Sequence, residues 1–289
     1  MNESQPHEEE RKNAVAAPEA AVADTVYPKV YLLPNLMTAG NLFCGFMAVL
    51  FMIQGKLDLE MGASVASVPW TERYEKSLLF IFAACVFDVL DGRLARFGGN
   101  ESSFGREFDS LADVISFGFA PAILVFHIVL ADFPNRLGWL IAFIYLVCGA
   151  LRLARFNVMS SSGHSSSKDF TGFPIPAAAG VIASITLLML SFYRDDKEIG
   201  NWKYALPALM FFLSFMMFSR VRYPSFKSVD WRTKRSLPHL LLIILLLFLV
   251  VIYKEWMLPF IFVSYLLYGF FRPFLSHRIR REIEEEDHH

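Results

Sequence analysis

Long unbroken runs of apolar residues constrain the fold of this chain more than any other feature. The run from His239 to Tyr253 reads HLLLIILLLFLVVIY, and about 20 apolar residues are enough to cross a bilayer as a helix. Only 19% of the residues are charged, against about 25% in an ordinary soluble domain. Backbone groups inside hydrocarbon must be satisfied within helices when no alternating strand pattern is present. The sequence therefore predicts an all-α polytopic transmembrane helix bundle of about eight spans, at residues 31–54, 77–96, 106–130, 138–156, 174–193, 203–220, 238–253 and 256–272.

The segments outside and between these spans differ in composition. Lys254 and Glu255 alone separate the last two spans, which predicts a tight helical hairpin. Residues 157–173 read NVMSSSGHSSSKDFTGF and predict a mobile loop, because Ser and Gly dominate them. No small-residue cleavage site follows the first apolar block, so we expect the first span to remain in the mature protein.

The distribution of Lys and Arg predicts the orientation in the membrane. Placing the N-terminus in the cytoplasm assigns 19 of the 27 Lys and Arg residues to the cytoplasmic side, and cytoplasmic loops carry the excess of positive charge. We therefore expect both termini in the cytoplasm. The six cations between Arg220 and Arg235 fit this topology, with attraction to anionic lipid head groups as the alternative. A formal net charge of −1 excludes a generally basic nucleic-acid binder.

Four aspartates, three glycine or alanine positions and one arginine form a spaced pattern around the second connection. Residues three or four apart share a face of a helix. One face is therefore formed by Asp88, Asp91, Gly92, Ala95 and Arg96, and a second by Gly105, Asp109 and Asp113. If the two helices run antiparallel around a turn at residues 98–100, the four carboxylates converge near the cytoplasmic end of the bundle.

Four carboxylates in partly apolar surroundings repel one another and require a cation. Hard divalent cations suit all-oxygen ligands, and Mg²⁺ commonly completes its coordination with water and substrate phosphates. The pattern therefore predicts Mg²⁺ or Mn²⁺, as one ion or a pair. Gly92 and Gly105 leave room for a bulky ligand beside the helix backbone, and Arg96 offers a guanidinium fork that matches a phosphate.

The pattern D-x2-D-G-x2-A-R-x8-G-x3-D-x3-D is present at all eight of its positions and resembles the hallmark of the CDP-alcohol phosphatidyltransferases. The resemblance implies an integral-membrane enzyme, commonly homodimeric, that moves a phosphatidyl group from CDP-diacylglycerol to an alcohol and releases CMP. By the same resemblance, Asp88, Asp91 and Asp109 hold the metal, and Asp113 completes the cluster and serves as general base. The phosphates would lie against Gly92, Ala95, Arg96 and Gly105.

Three further segments, among them RLARFN at residues 152–157, resemble the phosphatidylserine synthase branch of the family. The first span opens LPNLMTAGNLFCG, which places Thr38, Asn41 and Gly45 on one face. From this position Thr38 and Asn41 could contact the nucleotide or phosphate. A structural role at the start of the helix is equally compatible with it. The stretch FTGFPIPAAAG at residues 170–180 shares the likeness. L-serine is therefore the expected acceptor, and the inner membrane of a bacterium, with the active site on its cytoplasmic side, is the expected location.

The fourth span ends in RLARFN, with Arg152 and Arg155 three residues apart. Either arginine could pair with the serine carboxylate, and snorkelling at the cytoplasmic boundary is an equal alternative. Within the family, glycerol 3-phosphate, an inositol phosphate or choline remain alternative acceptors. An ion-coupled transporter is the alternative of a different class, because intramembrane carboxylates also mark ion pathways.

These features together predict five parts of the chain. We expect a disordered acidic tail at residues 1–28, a six-helix catalytic core at 29–220, a basic cytoplasmic loop at 221–237, a C-terminal transmembrane hairpin at 238–275, and a charged tail at 276–289.

Overall fold

A computed structural model describes residues 32–61, 69–97, 102–133, 137–161, 170–194, 204–219, 222–223 and 252–271. The described residues form seven helices and one pair of two-residue strands. The helices are α1 (Leu32–Met61), α2 (Trp70–Phe97), α3 (Ser103–Ile128), α4 (Leu137–Ser161), α5 (Ile175–Arg194), α6 (Ala205–Phe218) and α7 (Lys254–Phe271). The strands β1 (Phe170–Thr171) and β2 (Arg222–Tyr223) pair antiparallel.

Four of these helices, α1, α3, α4 and α5, are long and apolar enough to cross a membrane. The apolar helix α6 is shorter, at 14 residues. Helix α2 is continuous, but the charged residues of the aspartate pattern interrupt its apolar sequence. The fold is therefore that of a helical membrane protein. The all-α expectation holds apart from the strand pair, which is too short to change the class.

Several predicted boundaries were wrong by a few residues. Helix α1 extends to Met61 instead of residue 54, and α4 extends to Ser161, so residues 157–161 are helical and not part of the Ser-rich loop. Asn157 supports this last turn, because its Nδ2 donates to Ser110 Oγ of α3 at 2.9 Å. Lys254 and Glu255 form the first turn of α7 rather than a connection.

Other expectations fall on parts of the chain that the structure does not describe. The predicted seventh span at 238–253, the turn at 98–100, the acidic tail at 1–28 and the charged tail at 276–289 lie outside the described residues, apart from the last two positions of that span. Of the basic loop at 221–237, only Arg222 and Tyr223 are described.

Small residues and fully buried apolar side chains bring the helices together. Ala48 and Met52 of α1, Leu78 and Ile81 of α2, and Leu124 of α3 are fully buried in the shared core. The outer faces of the helices expose large apolar side chains such as Phe43 and Phe46 of α1 and Phe143 of α4. An exposed surface this apolar matches the lipid that surrounds a membrane-spanning helix.

Helix α3 changes its hydrogen-bonding register in the middle. Residues Val114–Phe119 form a π-helical turn, and the amide of Ala120 donates to the carbonyl of Ile115, five residues back. Single π turns occur frequently at functional sites. This one begins directly after Asp113, which is its N-cap residue.

The C-terminal helix α7 packs against the preceding helices. Gly180 of α5 lies directly under the ring of Phe262, and any side chain at position 180 would meet that ring. At the other end of α5, Arg194 donates at 2.7 Å to both Glu75 of α2 and Glu255 of α7. One arginine therefore joins the ends of three helices.

The strand pair fastens the FTGFPIP segment to the end of α6. Gly172 has a φ of +85°, a conformation that residues with a side chain rarely adopt, and a Cβ at this position would meet the backbone carbonyl of Met217. The amide of Phe173 donates to the carbonyl of Met216 at 3.1 Å. This anchoring fixes where α5 begins.

Candidate active site

Three carboxylates from two helices meet at one point. Asp88 and Asp91 lie three residues apart on α2, and Asp109 lies on α3. One carboxylate oxygen of each lies within 4.8 Å of the other two. The expectation that the two faces meet is therefore realised for these three aspartates.

A hydroxyl from α1 holds the most buried member of this cluster. Asp91 is only 5% exposed and Thr38 only 3%, and Thr38 Oγ1 lies 3.2 Å from Asp91 Oδ2. The same hydroxyl lies 3.2 Å from the carbonyl oxygen of Pro34. Thr38 is thus placed to orient the Asp91 carboxylate, and both of these contacts are with protein groups.

Asp113 lies beside the cluster, one helical turn beyond Asp109. Its side chain is 6% exposed, and Asn41 Nδ2 donates to its Oδ1 at 3.0 Å. Its carboxylate interacts electrostatically with those of Asp88, Asp109 and Asp91. The three-residue group whose oxygens are close enough to share an ion does not include Asp113. Asp113 therefore lies outside the group of three carboxylates and accepts a hydrogen bond from Asn41.

The glycines of the pattern have different environments. A Cβ built on Gly92 would meet no described atom within 4 Å, so none of the described residues fills the space that a side chain at this position would take. A Cβ on Gly105 would lie 3.0 Å from Ser102 Oγ and 3.2 Å from Asn35 Oδ1. Ala95 and Arg96 belong to α2, but their side chains lie outside what the structure describes.

The two candidate arginines of α4 are not equivalent. Arg152 is partly buried and interacts electrostatically with Asp113 and Asp88. Its Nε is buried and has no hydrogen-bond partner among the described residues. Arg155 is exposed. Arg152 therefore lies beside the aspartates with a donor available for a ligand, and Arg155 does not share that position.

Three residues near the site were not found from the sequence. Tyr145 of α4 donates to the carbonyl of Phe117 in the π turn at 3.1 Å, and Ser116 Oγ donates to the carbonyl of Asn41 at 2.9 Å. Tyr265 of α7 interacts electrostatically with Arg152. A tyrosine inside an apolar span gives no polar spacing pattern, so only the packing of the helices identifies these contacts.

The donor set fits a hard divalent cation. All three clustered ligands are carboxylates, and such oxygen ligands suit Mg²⁺, Mn²⁺ and Ca²⁺ rather than softer metals. Among the described residues, none fills the space that a side chain at position 92 would take, next to the cluster. The residues present are therefore compatible with a metal that binds protein and substrate together.

Comparison with known protein families shows which family contains this chain. Residues 31–267 match the family model described as CDP-alcohol phosphatidyltransferase. The chain belongs to that family. The match includes α1 to α6 and most of α7, so the C-terminal helix is part of the family region.

Individual relatives of this CDP-alcohol phosphatidyltransferase are similar over much of their length. A CDP-diacylglycerol–serine O-phosphatidyltransferase of Helicobacter pylori is 34% identical over 84% of this chain and 91% of that protein. An enzyme of the same name from Bacillus subtilis is 32% identical over 68% of this chain and 91% of its own. An archaetidylserine synthase of Methanothermobacter thermautotrophicus is 34% identical over 66% of this chain and 69% of its own.

Family membership confirms the resemblance drawn from the aspartate pattern. This transferase is an integral membrane enzyme, since the family is enzymatic and the chain has four helices fit to span a bilayer. The transporter alternative is therefore wrong.

Proposed function

We propose that this protein transfers the phosphatidyl group of CDP-diacylglycerol to the hydroxyl of L-serine, giving phosphatidylserine and CMP. The observation that most supports this function is the convergence of Asp88, Asp91 and Asp109, with Asp113 held separately by Asn41. Serine appears in the names of the CDP-diacylglycerol–serine O-phosphatidyltransferases and in that of the archaetidylserine synthase, so relatives of both names favour serine.

In this proposal Asp88, Asp91 and Asp109 bind Mg²⁺ or Mn²⁺, with Asp113 completing the cluster from its edge. When bound, the metal would neutralise charge on the diphosphate oxygens and orient donor and acceptor. Gly92 gives the diphosphate access to the backbone of α2. Ala95, Arg96 and Gly105 contact the nucleotide and phosphates, while Thr38 and Asn41 act on them indirectly by holding Asp91 and Asp113.

Asp113 acts as the general base. The serine hydroxyl oxygen forms a bond to the phosphorus that bears the lipid, the bond from that phosphorus to CMP breaks, and the hydroxyl proton moves to the Asp113 carboxylate. A base positioned in this way contributes typically 10²- to 10⁴-fold in rate. The hydrogen bond from Asn41 Nδ2 to Oδ1 leaves Oδ2 of Asp113 to accept the proton.

Arg152 binds the carboxylate of serine. Its buried Nε has no partner among the described residues, and it lies near enough to Asp113 to interact with its charge. A guanidinium matches a carboxylate with paired hydrogen bonds. Choline would instead require an aromatic cage, and glycerol 3-phosphate or an inositol phosphate would require more positive charge than one guanidinium.

We further propose eight membrane crossings with both termini in the cytoplasm, which is the orientation that puts the excess of Lys and Arg on the cytoplasmic side. We place the active site at the cytoplasmic face of a bacterial inner membrane, because the aspartates lie at the connection between α2 and α3. A homodimer is the assembly that the family resemblance implies.

The test uses the purified full-length protein with CDP-diacylglycerol, Mn²⁺ or Mg²⁺ and each alcohol in turn, with CMP as the measured product. We expect serine to give CMP and EDTA to abolish its release. Asp113→Asn is expected to lower kcat by at least about 10²-fold while CDP binding persists. Glu107→Gln is the matched control, since it makes the same change on an exposed position of α3. CMP release that does not depend on serine would refute the acceptor.

A further inference from the structure

The π turn of α3 contains a carbonyl that an α-helix could not satisfy. In an α-helix the carbonyl of Phe117 would accept from the amide of residue 121. Residue 121 is proline, which has no amide hydrogen. Phe117 is fully buried, and a buried carbonyl in a membrane-spanning helix needs another donor.

Tyr145 of α4 supplies that donor. Its hydroxyl lies 3.1 Å from the carbonyl oxygen of Phe117, and its side chain is fully buried. The hydrogen bond joins two different helices across 28 positions of sequence. It therefore stabilises the particular register in which the Phe117 carbonyl points towards α4.

The other side of the π turn contacts α1. Ser116 Oγ donates to the carbonyl of Asn41 at 2.9 Å, and Asn41 Nδ2 donates to Asp113. Gly45 permits this approach, because a Cβ at position 45 would lie 2.7 Å from the Cα of Ser116. The turn is thus held between α4 and α1 by one hydrogen bond on each side.

The register of this turn decides where Asp113 points. A change of one residue in register rotates one part of a helix against the other by about 100° and shifts it by about 1.5 Å. The part of α3 beyond the turn is fixed by the fully buried Leu124 and Val125. A change of register would therefore rotate the preceding part, which contains Asp109 and Asp113.

We propose that Tyr145 is a positioning residue that holds the π turn in the register that presents Asp113 to the acceptor. This inference rests on the proposed role of Asp113 as general base. Tyr145 itself touches neither substrate nor metal in this proposal; it acts through the backbone of the turn and through Asn41.

The experiment compares Tyr145→Phe with the wild type at saturating CDP-diacylglycerol, serine and Mn²⁺. We expect kcat per folded protein to fall about 10- to 100-fold, because a displacement near 1 Å can cost 10²-fold. The half-saturating Mn²⁺ concentration should rise as well, because the same rotation moves Asp109. The low kcat should persist at saturating Mn²⁺, because Asp113 stays displaced. Tyr74→Phe is the control, a buried tyrosine of α2 outside the site.

A second substitution separates positioning from stability. Pro121→Ala in the Tyr145→Phe background gives the Phe117 carbonyl an amide donor from its own helix. If Tyr145 positions the turn, this double variant regains thermal stability but keeps the low kcat, because the new donor favours the α register. Recovery of kcat together with stability overturns the inference, as does an unchanged kcat in Tyr145→Phe. A wild type that releases no CMP with any alcohol refutes the proposed function instead.

Discussion

Removing the hydroxyl of Thr38 should weaken metal binding without removing a metal ligand. Thr38→Val keeps the shape of the side chain and deletes the donor that lies 3.2 Å from Asp91 Oδ2. Both side chains are at least 95% buried, so water cannot replace the lost hydrogen bond. The Asp91 carboxylate would then be free to rotate away from the oxygens of Asp88 and Asp109.

The magnitude follows from the geometry of this hydroxyl. A hydrogen bond to a charged group contributes about 1.5–3 kcal/mol. Thr38 has one hydroxyl proton and two acceptors, Asp91 and the carbonyl of Pro34, both at 3.2 Å. The shared proton favours the lower value, about 1.5 kcal/mol, which corresponds to about tenfold in affinity. Substitutions of residues that orient a ligand typically cost 10- to 100-fold in metal affinity.

The assay titrates Mn²⁺ into the detergent-purified protein and records both binding and CMP release. Thr38→Val should raise the half-saturating Mn²⁺ concentration about tenfold, and Thr38→Ser should restore it. Thr186→Val is the matched control, since its buried hydroxyl donates at 2.8 Å to the carbonyl of Ile182 in α5. A Thr38→Val protein that binds Mn²⁺ as well as the wild type would show that Thr38 does not orient a metal ligand.

Two further predictions concern the acceptor and the open backbone of α2. Arg152→Lys should raise the KM for serine about tenfold or more, because lysine cannot form the paired hydrogen bonds of a guanidinium. Arg155→Lys should leave the KM for serine unchanged. Steady-state kinetics in which the two variants change the KM for serine equally would contradict the different roles of the two arginines. Gly92→Ala should leave thermal stability equal or slightly higher and raise the KM for CDP-diacylglycerol. Gly45→Ala should instead destabilise the fold by about 1–3 kcal/mol, since its Cβ would meet Ser116, and unfolding curves measure this difference between the two variants. A Gly92→Ala protein that keeps the wild-type KM for CDP-diacylglycerol would refute the assignment of Gly92 to the substrate.

The helices and the aspartates were predictable because their signals are local. Apolar runs mark the described spans, and the i, i+3, i+4 spacing places Asp88, Asp91 and Gly92 on one face of α2 regardless of what that face contacts. The meeting of Asp109 with the α2 aspartates then required only that two consecutive helices be neighbours.

The π turn and its partners were not predictable in the same way. Pro121 signals a disturbed helix, but a proline alone does not specify whether the helix bends, breaks or changes register. The answer depends on Tyr145 and Gly45, which are 24 and 76 positions away in the sequence. The helical ends were missed for a related reason, because a contact such as that of Asn157 with Ser110 extends α4 past its apolar run.

The junction at Arg194 connects α7 to α2 and α5. Cutting the chain after residue 220 would leave Arg194 with only Glu75, uncover the backbone of Gly180 and take Tyr265 away from Arg152. The structure that supports the aspartate motif therefore extends to α7. A fragment that ends at residue 220 would retain every residue of the motif but would lack the contacts that α7 provides.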